Sequence, residues 1–349
     1  MAQISEYNKA LREKRKKKLK SLEKKLPVYV KPYLDEKELV SQINTVISYA
    51  YDLITFFSFL QEENPMAKDM DIKDIPPELL EELTFEDINE YQRYLSYNEG
   101  IYNHMNEDKG IARRMAALRG FFEFATTHHY LKNNPTIGAA KRKKMPKKDI
   151  VRLNNDEINE FMRVIEESAM SSSHQRSYCA RTRLRDTAIL TLLLNTGIRV
   201  SECVGLNVDE INFKENSLQV TRKGGNIAKL YFNDRTGEAL TDYIENERNN
   251  FCASDDEKAL FLSGQKKRIS VRSVQNMVKK YAKIAVPDKN ISPHKMRSTY
   301  GTALYKSTGD IRLVADVLGH SDINTTAKHY AAMEDEHRRR AAQVELYDE

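Results

Sequence analysis

Between residues 37 and 63 the apolar positions Leu39, Val40, Ile43, Val46, Ile47, Ala50, Leu53, Ile54, Phe57 and Leu60 recur at intervals of three and four. That spacing places them on one face of an α-helix. It predicts one long amphipathic helix, stopped by Asn64-Pro65. Upstream, residues 4–26 read as a strongly basic helix ending before Pro27; it either lies on a polyanion or frays into solvent. Thr84 with Asp87 three residues on resembles a capping box and opens a helix to about Tyr97. A further helix over 109–128 carries Ile111, Met115, Leu118, Phe121 and Phe122 as its inward stripe. Its Arg113, Arg114 and Arg119 fall outside that stripe, where they are candidates to meet phosphate. These elements predict a small all-helical domain, ended by Asn133-Asn134-Pro135.

Periodicity then disappears. Residues 136–152 are basic and contain Pro146, which predicts an interdomain linker. The pattern resumes with a helix capped at Asn154 or Asn155, then one from about Arg181 that carries the apolar run 189–194 into a core. Gly197 ends it, and a new helix starts near Ser201. Residues 217–222 and 227–232 read as strands joined by Lys223-Gly224-Gly225-Asn226, a hairpin signal. Residues 259–262 read as a further short strand. Helices follow near 270–286, 293–307 and 311–318, with a short one carrying Tyr330 and a charged tail from Glu334. The expected fold is mainly α, with two domains: the first all-helical, the second mostly helical with a small antiparallel β-sheet. The expected boundaries are a basic N-terminal helix at 1–30, a helical domain at 31–135, a linker at 136–152 and a second domain at 153–349 whose tail begins about 333.

Charge sharpens this picture. The net charge is only +5 over 349 residues, but cations cluster at Arg12-Glu13-Lys14-Arg15-Lys16-Lys17-Lys18 and at Lys141-Arg142-Lys143-Lys144, with Lys147-Lys148 beyond. Such runs favour a polyanion such as nucleic acid, and a basic linker between two domains suits a protein that closes around a duplex. Cys179, Cys203 and Cys252 are too scattered for a disulfide framework or a C-x-x-C metal pair. The basic N-terminus lacks the apolar segment of a signal peptide, and no apolar run approaches the roughly 18 residues needed to cross a bilayer. The expectation is a cytoplasmic, nucleoid-associated protein with no membrane partner.

The candidate chemistry lies at element boundaries. Arg199 follows the Gly197 turn, and Lys223 sits at the hairpin tip. Ser292-Pro293-His294-Lys295-Met296-Arg297 opens a helix with His294 and Arg297 on one face. His320 follows Gly319, and Tyr330 lies ten residues beyond it. Each has an ordinary reading as a cap or a solvated side chain. Together they suit one reaction. Two arginines neutralise the oxygens of a phosphodiester in the transition state, a lysine protonates the departing alkoxide, a histidine takes a proton and tyrosine attacks. No acidic cluster suggests Mg²⁺, and neither a P-loop nor G-x-G-x-x-G is present, so no cofactor is expected.

Arg199 in T-G-I-R-V-S-E, Lys223 in T-R-K-G-G, the H-x-x-R of His294 and Arg297, L-G-H at His320 and the following Tyr330 resemble the tyrosine recombinase (phage integrase) family. The resemblance covers roughly residues 150–345. More loosely, Leu26-Pro27-x-Tyr29-Val30 and Tyr51-Asp52-Leu53 resemble the core-binding (SAM-like) domain of Xer recombinases. The resemblance implies that Arg199 and Arg297 clamp the scissile phosphate, that His320 donates to it, that Lys223 is the general acid and His294 the base or proton shuttle. It makes Tyr330 the nucleophile of a 3′-phosphotyrosyl link and Glu202 either an orienting carboxylate or a plain helix-start residue. Tyr330 lies ten residues after His320, where many relatives have nine; Tyr300 is the alternative nucleophile, expected to be buried.

By the same resemblance the protein is a site-specific recombinase without metal or ATP. It would act as a tetramer on two inverted-repeat sites of double-stranded DNA, through a Holliday junction, with the tail docked on a neighbour. Two other readings stay open, a DNA-binding accessory protein without catalysis and a type IB topoisomerase. Chromosome dimer resolution and movement of a mobile element also stay open, the lack of an extra arm-type domain favouring the simple Xer-like reaction. Base reading is expected from helices in the major groove, among them the Arg113/Arg119 helix and residues 266–272.

Overall fold

The computed structural model describes residues 6–97, 108–140, 151–167, 179–222, 225–251, 257–320 and 323. The chain forms two compact units that divide between Lys147 and Lys148.

In the first unit, α1 (Glu6–Glu23) is basic and exposed for most of its length, yet Leu19 and Leu22 are buried. With Leu26 they join the core built around α3, and Lys18 Nζ lies 5.4 Å from the centroid of the Tyr51 ring. The basic helix is therefore anchored at its C-terminal end by apolar burial and a cation–π contact. It is part of this core and not a separate arm. The single helix expected over 37–63 is two: α2 (Lys31–Val40), with Pro32 in its first turn, and α3 (Ile43–Glu63). Ser41 is extended (φ −128°, ψ 162°) and breaks the ladder. The periodicity misled because Leu39 and Val40 face solvent, 86% and 74% exposed, and only the positions from Val46 onward build the core stripe.

α3 is long and apolar enough to cross a membrane by length and composition. Its apolar face is nevertheless core, with Val46, Ala50, Leu53, Phe56, Phe57 and Leu60 all buried. After α4 (Pro77–Glu81), α5 (Phe85–Tyr97) opens as the capping pattern predicts, Asp87 accepting from the Thr84 N–H at 2.7 Å. α6 (Asp108–Thr127) buries the expected stripe. Phe56, Phe57, Phe121 and Phe122 meet edge-to-face with centroids 5.4–6.5 Å apart, the geometry ring quadrupoles favour. Packing runs past Pro135: Ala139 joins the core, and the Ala140 N–H donates to Asn89 Oδ1 at 2.8 Å. The domain thus reaches at least Ala140, because side chains of α5 satisfy its backbone. The basic run 141–150 lies outside the described residues.

In the second unit α7 (Asn155–Glu166) is opened by Asn154, in a reciprocal capping box with Glu157. α8 (Arg183–Thr196) is the central helix, buried continuously from Ala188 to Leu194. That explains its lack of amphipathic pattern, since no face is left for solvent. Gly197 ends it at φ +60° and α9 (Val200–Gly205) follows. β1 (Ile211–Asn212), β2 (Ser217–Thr221) and β3 (Ile227–Tyr231) form an antiparallel sheet in that order, with Thr221 opposite Ile227 at the turn. Residues 259–262 do not form the expected strand. They are buried, but make only single bridges, Asn207 with Ala259 and Leu262 with Arg268.

α10 (Asp234–Tyr243), capped by Asn233, was not legible as a separate helix. α11 (Val271–Ala285), α12 (Pro293–Thr308) and α13 (Ile311–Leu318) lie where expected. The helix and tail expected from Tyr330 onward lie outside the described residues.

Candidate active site

The site is built around the C-terminal end of α13, where the carbonyls run out of helical partners and the Gly319 N–H reaches back to the Asp316 carbonyl at 2.8 Å. Gly319 turns the chain at φ +60° there, and the His320 N–H reaches back to the Ala315 carbonyl at 2.9 Å. Three guanidinium groups from distant segments meet the exposed carbonyls. Arg199 Nη2 donates to the Gly319 carbonyl at 2.7 Å. Arg222 donates from Nη1 to the Asp316 carbonyl at 3.1 Å and from Nη2 to the Val317 carbonyl at 2.9 Å. Arg297, 6% exposed, donates to the carbonyls of Leu318 and Gly197. Four consecutive carbonyls, Asp316 to Gly319, are thus satisfied by cations. The negative end of the helix dipole favours cations at this end, and charge-assisted hydrogen bonds of this kind exceed neutral ones in strength.

Each arginine is fixed from its own side. Arg199 precedes α9, where the Glu202 carboxylate accepts from the Arg199 N–H at 3.0 Å and from Nη1 at 2.8 Å. The Glu202 side chain is only 6% exposed, so a nearly buried anion holds the guanidinium at a set angle. Arg297 sits one turn into α12, which Ser292 caps and Pro293 starts. Gly197 allows the close approach of α12: a Cβ there would lie 2.5 Å from the Tyr300 ring and 2.8 Å from Leu318. Its positive φ is also a conformation that a side chain would resist.

His294 is exposed in the first turn of α12, and His320 is half-buried just past α13. Tyr300 is half-buried against Val314 and Leu318, and burial raises its phenol pKa. That makes its phenolate harder to form. Lys223 and Tyr330 lie outside the described residues, although Arg222, immediately before Lys223, is in place. Arg222 was not singled out from sequence; its signal was an arginine flanking the hairpin lysine, with a glycine in L-G-H to receive it.

Among the candidate DNA contacts, Arg113 and Arg114 are turned toward Asp52 on α3. Arg113 Nη1 donates to it at 2.6 Å, and Arg114 Nε is 3.8 Å away. Asp52 is 3% exposed, and burial lifts its pKa to about 6 despite both arginines. Arg119 is half-buried. Lys141, Arg142, Lys143 and Lys144 lie outside the described residues. Within 266–272, Arg268 is committed to the Val204 and Leu206 carbonyls at 3.0 and 2.8 Å, whereas Arg272 is exposed.

Comparison with known proteins follows the same lines. The model of the Phage integrase family matches residues 141–337. The tyrosine recombinase XerC of Caldanaerobacter subterraneus is 35% identical over 309 residues, covering 85% of this chain and 80% of that protein. The tyrosine recombinase XerD of Staphylococcus epidermidis is 31% identical over 221 residues, covering 62% of this chain and 70% of its own. Among solved structures, XerH bound to palindromic difH DNA in a post-cleavage complex superposes with a TM-score of 0.62 at 18% identity, over 88% of this chain and 82% of that one. The Tn1549 transposon integrase bound to transposon right-end DNA gives 0.62 at 18% identity, over 90% and 99%.

Proposed function

The chain belongs to the phage integrase family of tyrosine-type site-specific DNA recombinases, and from that premise we propose that Tyr330 cuts one DNA strand and leaves a 3′-phosphotyrosyl bond. The observation that carries the reading is the convergence of Arg199 and Arg297 on one helix end that runs directly into His320. Both guanidiniums are rigidly supported, one by Glu202 and one by burial in α12. Preorganised cations of this kind stabilise the charge that builds on a pentacoordinate phosphate without moving during the reaction.

The Tyr330 oxygen attacks phosphorus while His294 accepts the phenolic proton, directly or through water. Arg199, Arg297 and His320 hold the non-bridging oxygens. The bond from phosphorus to the 5′-oxygen breaks, and Lys223 gives that oxygen its proton. Attack by a 5′-hydroxyl from a second duplex reverses each step and releases Tyr330. Bond energy is kept in the phosphotyrosine, so neither ATP nor a metal ion enters the scheme.

The first unit, with the basic segment 136–152, binds the duplex through phosphates. Arg113, Arg114 and Arg119 on α6 contribute, the first two oriented by Asp52, together with Lys141, Arg142, Lys143 and Lys144. The assembly is a tetramer on two inverted-repeat sites, with the tail from about 333 docked on a neighbour. The protein works in the cytoplasm, associated with the nucleoid. Which errand it serves, chromosome dimer resolution or movement of an element, is set by the DNA site it reads. Tyr330→Phe is expected to bind DNA as tightly as the wild type and to form no covalent adduct on a nicked suicide substrate. An adduct at the wild-type level would remove Tyr330 from its role.

A further inference from the structure

Arg222 is pinned at both ends. Its backbone closes the β2–β3 turn: the N–H donates to the Asn226 carbonyl at 2.7 Å, and its carbonyl accepts from Gly225 at 3.0 Å. Its side chain leaves the sheet and grips two carbonyls of α13, Asp316 and Val317. The guanidinium lies so close to the helix end that a Cβ on Gly319 would sit 2.3–2.8 Å from its Nη1, Cζ and Nε atoms. A lysine offers a point charge and could not span both carbonyls as this planar fork does. Arg199 and Arg297 share the same helix end and are the groups assigned to the phosphate, whereas the side-chain hydrogen bonds of Arg222 to Asp316 and Val317 both go to α13. Lys223 is the next residue in the chain.

We propose that Arg222 is a positioning residue for the reaction: it bolts the base of the hairpin to the carbonyl end of α13 and so sets where Lys223 stands relative to the 5′-oxygen. The proposal rests on Lys223 being the general acid. Without the bolt, Leu218, Val220 and Leu230 still hold the strands in the core, but the base of the turn loses its tie to α13, and the proton donor is delivered to the leaving oxygen less often. The clamp on the phosphate keeps its own supports when Arg222 is lost, Glu202 for Arg199 and the Gly197 carbonyl for Arg297. Loss of Arg222 therefore acts mainly on departure of the leaving group.

A suicide substrate with sulfur in place of the bridging 5′-oxygen separates these effects. Its leaving thiol has a pKa of about 8.5, so the thiolate departs with the electron pair of the broken P–S bond and needs no donated proton. Single-turnover adduct formation is to be measured with both substrates for the wild type, Lys223→Ala, Arg222→Ala and Arg222→Lys, alongside thermal melting and DNA binding. On the oxygen substrate Arg222→Ala is expected to be at least about tenfold slow, a barrier increase of about 1.4 kcal/mol. On the sulfur substrate it should return to within a few-fold of the wild type, as Lys223→Ala does.

Arg222→Lys, which keeps the cation and reaches one carbonyl, should fall between the two and carries the test if the alanine variant melts early. If Lys223→Ala recovers on sulfur and the folded Arg222 variants stay equally slow on both substrates, or are not slow at all, Arg222 does not act through Lys223. If Lys223→Ala itself fails to recover, the general-acid assignment falls, and the role given to Arg222 falls with it.

Discussion

Arg297 bears the heaviest structural duty of the residues assigned to the phosphate. Removing its guanidinium leaves the buried carbonyls of Gly197 and Leu318 without donors, at a cost of about 1–3 kcal/mol for each unsatisfied group. Arg297→Ala is therefore expected to lower the melting temperature by several degrees and also to abolish cleavage, while Arg297→Lys recovers part of the stability and little of the activity. Glu202 offers a cleaner separation. Glu202→Gln keeps the size of the side chain but removes the charge facing Arg199 and one of its two acceptor oxygens. Adduct formation should slow by roughly tenfold, with DNA binding changed by less than about threefold, in a quench-flow assay.

Asp52 makes a pH prediction. Its pKa in the fold, about 6, lies above its ordinary 3.8. Between those values the folded state binds the extra proton, so stability falls as pH rises from about 4 to about 6 and is level above that. The loss is about 3 kcal/mol at most. Urea titrations across that window should show the decline in the wild type and a flat difference curve for Asp52→Asn. A wild type that gains stability over the same window would mean that its two arginines outweigh burial.

Elements differ in how plainly the sequence announces them. The hairpin, the capping boxes at Thr84 and Asn154, and helices α11 to α13 were legible because local pattern and punctuation agree. The break at Ser41 was not, since Leu39 and Val40 continue an apolar rhythm while facing solvent. The bridges at Ala259 and Leu262 read as a strand because buried apolar runs look alike whether or not they pair. The site shows the same division. Arg199, Arg297 and His320 stand beside Gly, Ser or Pro, which marks them as boundary residues. Their meeting at one helix end, and the addition of Arg222, depend on long-range contacts that leave no period in the chain.

Gly197 is the joint that lets α8, α12 and α13 come together. Gly197→Ala adds a Cβ against Tyr300 at a left-handed backbone position, and is expected to cost at least about 1 kcal/mol of stability. Chemical denaturation would show it as a lower midpoint at unchanged slope.

At the level of the whole chain, a modest net charge of +5 conceals concentrated basic runs. Binding dominated by phosphates should weaken by roughly a hundredfold or more between about 50 and 200 mM salt. Replacing Lys141, Arg142, Lys143 and Lys144 together by alanine should flatten that dependence; fluorescence anisotropy at several salt concentrations measures both. Recombination by this chain turns on one covalent bond. Wild-type protein trapped on a nicked suicide substrate is to be digested, and the peptide still attached to DNA identified by mass spectrometry. The expected product is a single peptide carrying a nucleotide 3′-phosphate on Tyr330. A nucleotide on Tyr300 or any other residue, or no attached peptide after complete binding, would contradict it.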